Sequence, residues 1–319
     1  MIEPTMLIFF GSLALTLILN VTGVALGQAR IGQATIKASD TQPQIQQTLS
    51  KTSIIAMAIS ETACILSLTF IIILLFRTNI RAPHFQCMAI AQSSIIFALG
   101  IAGCLVSFYS SFPAVHALYA IAQQPFFASK ILNVMLVSLS IIQSPIIFGF
   151  LIMLLINAQI DAVASMNNAL RLFSAGLCIG CGSIGPIIGQ GLFAKSACTA
   201  VGINRNVYNR VLSFALLSQT LIETPIILAL VVSLLLIFSP IPSDLRTIAF
   251  VMAAICQSIA TLAPGISSGR IASTACKQIT LPGANPTTLQ LTSLLAQGLI
   301  DSSAIFGLLV SILLIYGTA

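Results

Sequence analysis

Thr220-Leu221-Ile222-Glu223-Thr224-Pro225-Ile226-Ile227-Leu228-Ala229-Leu230 places one carboxylate in the middle of an apolar run. An ionised carboxylate at the centre of a membrane span costs at least about 2.5–3.5 kcal/mol. A bound proton or metal cation removes that charge, so such an acid can take up one cation and lose it when its surroundings become wet or positive. Three other strings line up with this one: Ile59-Ser60-Glu61-Thr62, Ile141-Ile142-Gln143-Ser144 and Leu299-Ile300-Asp301-Ser302. From Glu61 the polar positions follow at intervals of 82, 80 and 78 residues, close to a quarter of the 319-residue chain.

The surrounding composition fixes the solvent. The chain is 57% hydrophobic and 6% charged, against roughly 25% charged for soluble domains, and its mean hydropathy is +1.06. That excludes an ordinary cytosolic enzyme and a disordered chain. A span needs about 20 mostly apolar residues, and eight stretches qualify: 4–36, 48–76, 86–121, 128–157, 168–200, 208–238, 246–278 and 288–317. The expected fold is therefore an all-α membrane protein of eight transmembrane helices, arranged as four tandem hairpins over 1–80, 81–162, 163–242 and 243–319. Register holds across whole hairpins: Gln28 to Gln190 and Glu61 to Glu223 are both 162 residues, while Pro186 to Pro264, Gln190 to Ser268 and Glu223 to Asp301 are each 78. Glu3 and the lack of an early basic segment make the first stretch a helix rather than a cleaved signal.

Charge gives orientation. The hairpin turns carry Arg30, Lys37, Lys51, Lys130, Lys195, Arg205, Arg210, Arg270 and Lys277; the links between hairpins carry Arg77, Arg81, Arg171 and Arg246. By the positive-inside rule the turns are expected in the cytoplasm and both termini outside. The net charge of +6 is scattered singly rather than in a stripe, which argues against nucleic acid as a partner.

Glu61, Glu223 and Asp301 are the candidate ion-binding acids. Thr62, Thr224 and Ser302 place a hydroxyl directly after each acid, and Gln28, Gln190 and Ser268 fall 33 residues before it on the partner helix. Oxygen donors of this kind suit hard cations; they also serve as interhelical hydrogen-bonding groups in lipid. Repeat two holds Gln143 and Ser144, with Ser110 on the inner helix, and an amide neither exchanges a proton nor neutralises sodium, so this site is expected to carry nothing. Glycine-rich text such as Gly185-Pro186-Ile187-Ile188-Gly189-Gln190-Gly191 assigns the odd-numbered helices to a tightly packed inner layer. Cys178 and Cys181 lack a second pair or a histidine cluster and read as packing residues. His84 and His116 read as surface residues near the interfaces.

Gly185 to Gly191 together with Glu223-Thr224 resembles the glycine-rich and carboxylate helices of the rotary ATP synthase proteolipid family, the c subunits, here repeated four times. Thr41-Gln42-Pro43 and Ala122-Gln123-Gln124-Pro125 resemble its Arg-Gln-Pro turn without the arginine, and repeat three has Ile203-Asn204-Arg205 there. The resemblance implies a non-catalytic rotor chain of an ion-translocating ATPase, without a cofactor, carrying H+ or Na+ on its acids. Its implied partners are other copies in a homo-oligomeric ring, a stator a-type subunit, the central stalk and the lipid bilayer. Gln42, Pro43, Gln124, Pro125, Asn204 and Arg205 would meet the stalk. The implied location is an energy-coupling membrane such as a bacterial inner membrane. Similarity to sodium-specific members would give Na+ to Gln190, Glu223 and Thr224 beside Pro186. Gln28, Glu61 and Thr62 match with Val24 in place of the proline. Pro264, Ser268, Asp301 and Ser302 match more weakly, so both ions stay open. The alternative reading is a multi-span secondary ion-coupled transporter with midplane carboxylates and parallel repeats.

Overall fold

The computed structural model describes residues 4–80, 82–283 and 285–317; Glu3 and Arg81, used in the charge reading, lie outside the described residues. Among the described residues, eight helices are long and apolar enough to cross a membrane: α1 (Pro4–Thr41), α2 (Pro43–Arg77), α3 (Phe85–Gln123), α4 (Pro125–Ala158), α5 (Met166–Ile203), α6 (Arg205–Phe238), α7 (Asp244–Gln278) and α8 (Pro286–Tyr316). Pro43, Pro125 and Pro286 open α2, α4 and α8, where the missing N–H costs nothing and the fixed φ suits a first turn. The α5–α6 turn instead uses Asn204, whose Oδ1 accepts from the Asn206 amide at 3.0 Å.

The helices form two layers. The odd-numbered helices α1, α3, α5 and α7 pack side by side in chain order, and the even-numbered ones lie over them. Small residues allow the inner layer its close approach. A Cβ on Gly27 would stand 2.7 Å from the Ser107 carbonyl oxygen, and one on Gly189 would press on the Gly265 backbone. The inner helices therefore sit closer together than the larger outer helices do. Between Arg171 and Thr199, the residues of α5 that are not buried are Phe173, Leu177, Cys181, Ile184, Ile188, Leu192, Lys195 and Thr199. They form one stripe along α5. The matching stripe on α3 includes Phe108, Tyr109, Phe112 and His116.

Polar ties cross each internal boundary. Asn20 Nδ2 donates to the Leu99 carbonyl at 3.1 Å, within the π-helical segment Ile96–Ile101 of α3. Gln219 Nε2 donates to Ser138 Oγ at 2.9 Å and Gln297 Nε2 to Ser218 Oγ at 3.2 Å, two rungs that join successive outer helices. At the far end of the hairpins, Arg171 is buried and donates to the carbonyls of Ile237 and Ser239, where α6 ends. It is a cap on a helix C-terminus rather than the loop charge that the sequence suggests.

Replacing Gly189 with valine overpacks the α5–α7 contact. The expected loss is about 1–3 kcal/mol, read as a lower melting midpoint by circular dichroism in detergent. Gly11→Ala, where an added Cβ meets nothing within 4 Å, is expected to leave that midpoint unchanged or raise it.

Candidate functional site

Two side chains of each hairpin were expected to meet at one depth, and in three of the four they do. In the first hairpin Gln28 Nε2 donates to Glu61 Oε1 at 2.5 Å. In the fourth, Ser268 Oγ donates to Asp301 Oδ1 at 3.4 Å. In the second, Gln143 Nε2 donates to Ser110 Oγ at 3.3 Å. The third hairpin differs: Gln190 is fully buried, and neither its amide oxygen nor its amide nitrogen has a hydrogen-bonding partner. An unsatisfied buried amide costs about 1–3 kcal/mol, which marks this position as one that a further group would satisfy.

Two of the outer helices are interrupted at their polar position, for identifiable reasons. The α-helical hydrogen-bond pattern of α2 is interrupted at Glu61. On either side, Ser60 Oγ donates to the Met57 carbonyl at 2.7 Å and Thr62 Oγ1 to the Ile59 carbonyl at 2.8 Å. Hydroxyls that bond back in this way bend a helix. In α4 the interruption falls at Gln143, two residues before Pro145, whose missing N–H frees the Ile141 carbonyl. Pro186 lies against Gly265 of α7, and both Pro186 and Pro264 are buried in the inner layer.

The hydroxyl after each polar position does not complete the shell of its own repeat. Thr62 Oγ1 donates to Gln143 Oε1 at 2.9 Å, and Gln143 Nε2 also donates to the Ile59 carbonyl at 3.2 Å. The Ser144 hydroxyl is buried without a hydrogen-bonding partner. Adjacent residues on a helix point about 100° apart, so when the acid faces its own inner helix the next side chain faces the following hairpin. Thr224, grouped above with Gln190 and Glu223, bonds back to the Thr220 carbonyl at 3.4 Å instead. Ser302 does the same with Leu299 at 2.6 Å.

Gln143 therefore sits at the boundary between its own hairpin and the preceding one. Exposure differs among the four positions. Gln143 and Asp301, at internal boundaries, are 7% and 6% exposed, and Glu223 is half-buried. Glu61, in the first described hairpin, is exposed on a shallow groove with Val21, Val24, Gln28 and Cys64.

The turn residues lie together at one end. Gln42 and Pro43 start α2, and Gln124 Nε2 reaches the Gly202 carbonyl at 2.6 Å, tying the second turn to the third hairpin. Pro125, Asn204 and Arg205 share a cavity between those turns with the fully exposed Phe126. His84 is exposed as expected. His116 is not a free surface residue: it is half-buried, with Nδ1 3.0 Å from Thr199 Oγ1. The eight cysteines are unpaired, and among the described residues no His, Cys, Asp and Glu side chains cluster as a metal site.

Sequence reasoning missed the Gln219 and Gln297 rungs. The signal was available, because both glutamines stand four residues before an acid and their serine partners stand five before the polar position of the preceding repeat.

The family of ATP synthase C subunits matches residues 12–74, 173–236 and 251–314, which are most of the first, third and fourth helix pairs. The ATP synthase c subunit of Dehalococcoides mccartyi strain CBDB1 is 37% identical over 71 residues, 22% of this chain and 93% of that relative. The ATP synthase c subunit of Prochlorococcus marinus strain AS9601 is 35% identical over 75 residues, 24% of this chain and 93% of that relative. Each relative thus corresponds to about one helix pair.

The Thr62–Gln143 bridge is testable by a double-mutant cycle of Thr62→Val and Gln143→Leu. Interhelical hydrogen bonds in membranes couple by about 0.6–1.7 kcal/mol, and a coupling in that range is expected from unfolding in detergent.

Proposed function

This chain belongs to the family of ATP synthase C subunits, and we propose that it is a rotor subunit of an ion-translocating ATPase, carrying H+ or Na+ on Glu61, Glu223 and Asp301. The observation that carries the reading is the repeat-equivalent placement of the three acids: each stands 33 residues after its inner-helix position in hairpins one, three and four, and Glu61 and Asp301 bond Gln28 and Ser268 there. A cation bound to a carboxyl removes the charge that makes the bilayer centre costly, so a loaded site can face lipid. A positive group on a stator would favour release. Copies of the chain then join edge to edge in a ring, the inner helices lining its aperture and the turns meeting a central stalk on the cytoplasmic side. The nucleotide chemistry belongs to a soluble head.

The exposed Glu61 fits this assembly. By the register of Thr62 on Gln143, the hydroxyl that would cross to Glu61 is Ser302 of a second copy. One of the three acid sites then lies on the seam between chains.

The Gln143 amide occupies its own site permanently. Its Nε2 bonds the Ile59 carbonyl and Ser110 Oγ, and its Oε1 accepts from Thr62. These partners correspond to those a cation would meet elsewhere, and an amide nitrogen cannot leave. Three carriers per four hairpins would lower the ions moved per turn, and so per ATP, which favours ATP-driven pumping against a steep gradient. Of the two ions, sodium is better suited to the third site than to the others. The Gln190 amide oxygen is buried without a donor there, and an oxygen ligand of that kind suits a hard cation.

Carbodiimide treatment of membranes holding the assembled ATPase tests the reading. The expected result is modification of Glu61, Glu223 and Asp301 by peptide mass spectrometry, with ATP-driven ion transport stopping. Added Na+ slows labelling of Glu223 if sodium is the ion there, whereas a rate that responds only to pH assigns the proton. Gln143→Glu should add a fourth labelled position. Unlabelled acids, or labelling that leaves the ATPase untouched, would remove the rotor reading.

A further inference from the structure

The fourth hairpin holds a buried amide one helical turn from its acid. Gln297 is fully buried. Its Nε2 donates to Ser218 Oγ of α6 at 3.2 Å and to Ser293 Oγ of α8 at 3.0 Å, and its amide oxygen has no hydrogen-bonding partner. Both amide protons are thereby engaged, and the group left over is an acceptor in a dry interior, where an unmade hydrogen bond is costly. Asp301 stands four residues later, on the same face of the helix, and is itself buried. Helical side chains lean toward the N-terminus, so the Asp301 carboxyl lies over the turn that holds Gln297.

An ionised carboxylate and an amide oxygen are both acceptors and leave each other unpaired; one proton on the carboxyl makes it a donor and satisfies both. Ser268 Oγ already donates to Asp301 Oδ1 at 3.4 Å, which leaves Oδ2 to carry that proton toward Gln297. The helices packed against α8 are α6 and α7. Within seven residues of the site level they place one ionisable group each, Glu223 and Arg270, and Arg270 opens on the exposed groove that includes Ala296. The other repeats show what is particular to this site. In the place of Gln297 stand Met57, Leu139 and Gln219, so Glu61 has no such oxygen. Gln219 repeats the arrangement before Glu223, but there the unpartnered Gln190 oxygen competes for the acid, whereas the inner-helix partner of Asp301 is Ser268, a donor.

We infer that Gln297 sets the ion of the fourth site: its amide oxygen accepts the hydrogen bond of Asp301 when that acid holds a proton, so this site takes H+ rather than Na+. Loading makes one bond, from the Oδ2 hydroxyl to the amide oxygen, and release of the proton returns two unpaired acceptors. A proton needs only the one acceptor that is present, whereas a metal cation needs a shell of oxygens. The hydroxyl that could add to such a shell, Ser302, is turned back on the Leu299 carbonyl at 2.6 Å. The inference rests on the rotor reading for its role in transport alone. The hydrogen bond itself belongs to one chain, because Ser218 and Gln297 meet at an internal boundary.

The full chain in lipid vesicles is titrated by infrared spectroscopy, the Asp301 carboxyl band being the one that Asp301→Asn removes. Gln297→Met, which puts here the side chain that the first repeat has at Met57, is expected to lower the Asp301 titration midpoint by about one pH unit, because the bond it deletes favours the protonated acid. Gln297→Glu places a stronger acceptor and a like charge beside the acid and is expected to raise the midpoint. Opposite shifts from two substitutions at one position separate a bonding role from a folding defect. Added Na+ should leave the wild-type midpoint where it is. A midpoint that neither variant moves overturns the inference. So does one that Gln297→Met raises, which would make the amide a donor to the ionised acid, and so does one that falls as Na+ is added, which would make its oxygen a metal ligand. Carbodiimide arrest of the assembled ATPase reads the rotor separately. Arrest without these shifts keeps the rotor and removes the inference; the shifts without arrest do the reverse.

Discussion

Lipid offers no hydrogen bonds, and most of this molecule's organisation follows from that deficit. A polar side chain placed mid-span must find its partner on another helix. Here the partners come first from the same hairpin, as Gln28 serves Glu61 and Ser268 serves Asp301. Further partners come from the neighbouring hairpin, as Thr62 serves Gln143. The inner layer makes this possible: glycine contacts such as Gly27 on Ser107 and Gly189 on Gly265 bring the helices near enough for short side chains to reach across. Packing and chemistry are therefore one constraint, and widening the inner layer would also separate the groups at the sites.

Within that frame the second hairpin is specialised. It supplies an amide where the others supply an acid, a serine on its inner helix, and a π-helical segment at Ile96–Ile101. Its role in the protein is cohesive. Gln143 is tied to the hairpin before it, and Gln124, Ser138 and His116 to the hairpin after it. It is also the pair that falls between the segments matching the family. Its Gln143 amide keeps both ends bonded, to Thr62, the Ile59 carbonyl and Ser110.

The sequence made the helices and the depth of the acids legible, because apolar length and the 33-residue offset depend only on spacing along the chain. Rotation about each helix was not legible in the same way. The position of Thr62 after Glu61 reads equally as one shared shell or as two opposed faces, and only the packing of α2 against α4 decides for Gln143. Burial of charge was hidden for a related reason. Arg171 looks like any loop base until Ile237 and Ser239 bring their carbonyls to it. His116 looks like a surface residue until Thr199 is set beside it. The Gln219 and Gln297 rungs were written in repeat register, but only two of the four repeats carry the glutamine, so the pattern stayed below notice.

Those rungs also distinguish two of the chain's interior joints from its edges; the first joint, with Ala56 and Leu139 at these positions, is tied by Asn20 on Leu99 and Thr62 on Gln143 instead. At the outer-helix positions that would form the same rung between copies stand Met57 and Ala296, which can touch but cannot bond. Any assembly joining the first edge of one molecule to the last edge of another would carry its fault lines there. Under heat or harsh detergent it would fracture into whole polypeptides rather than shear through the middle of one.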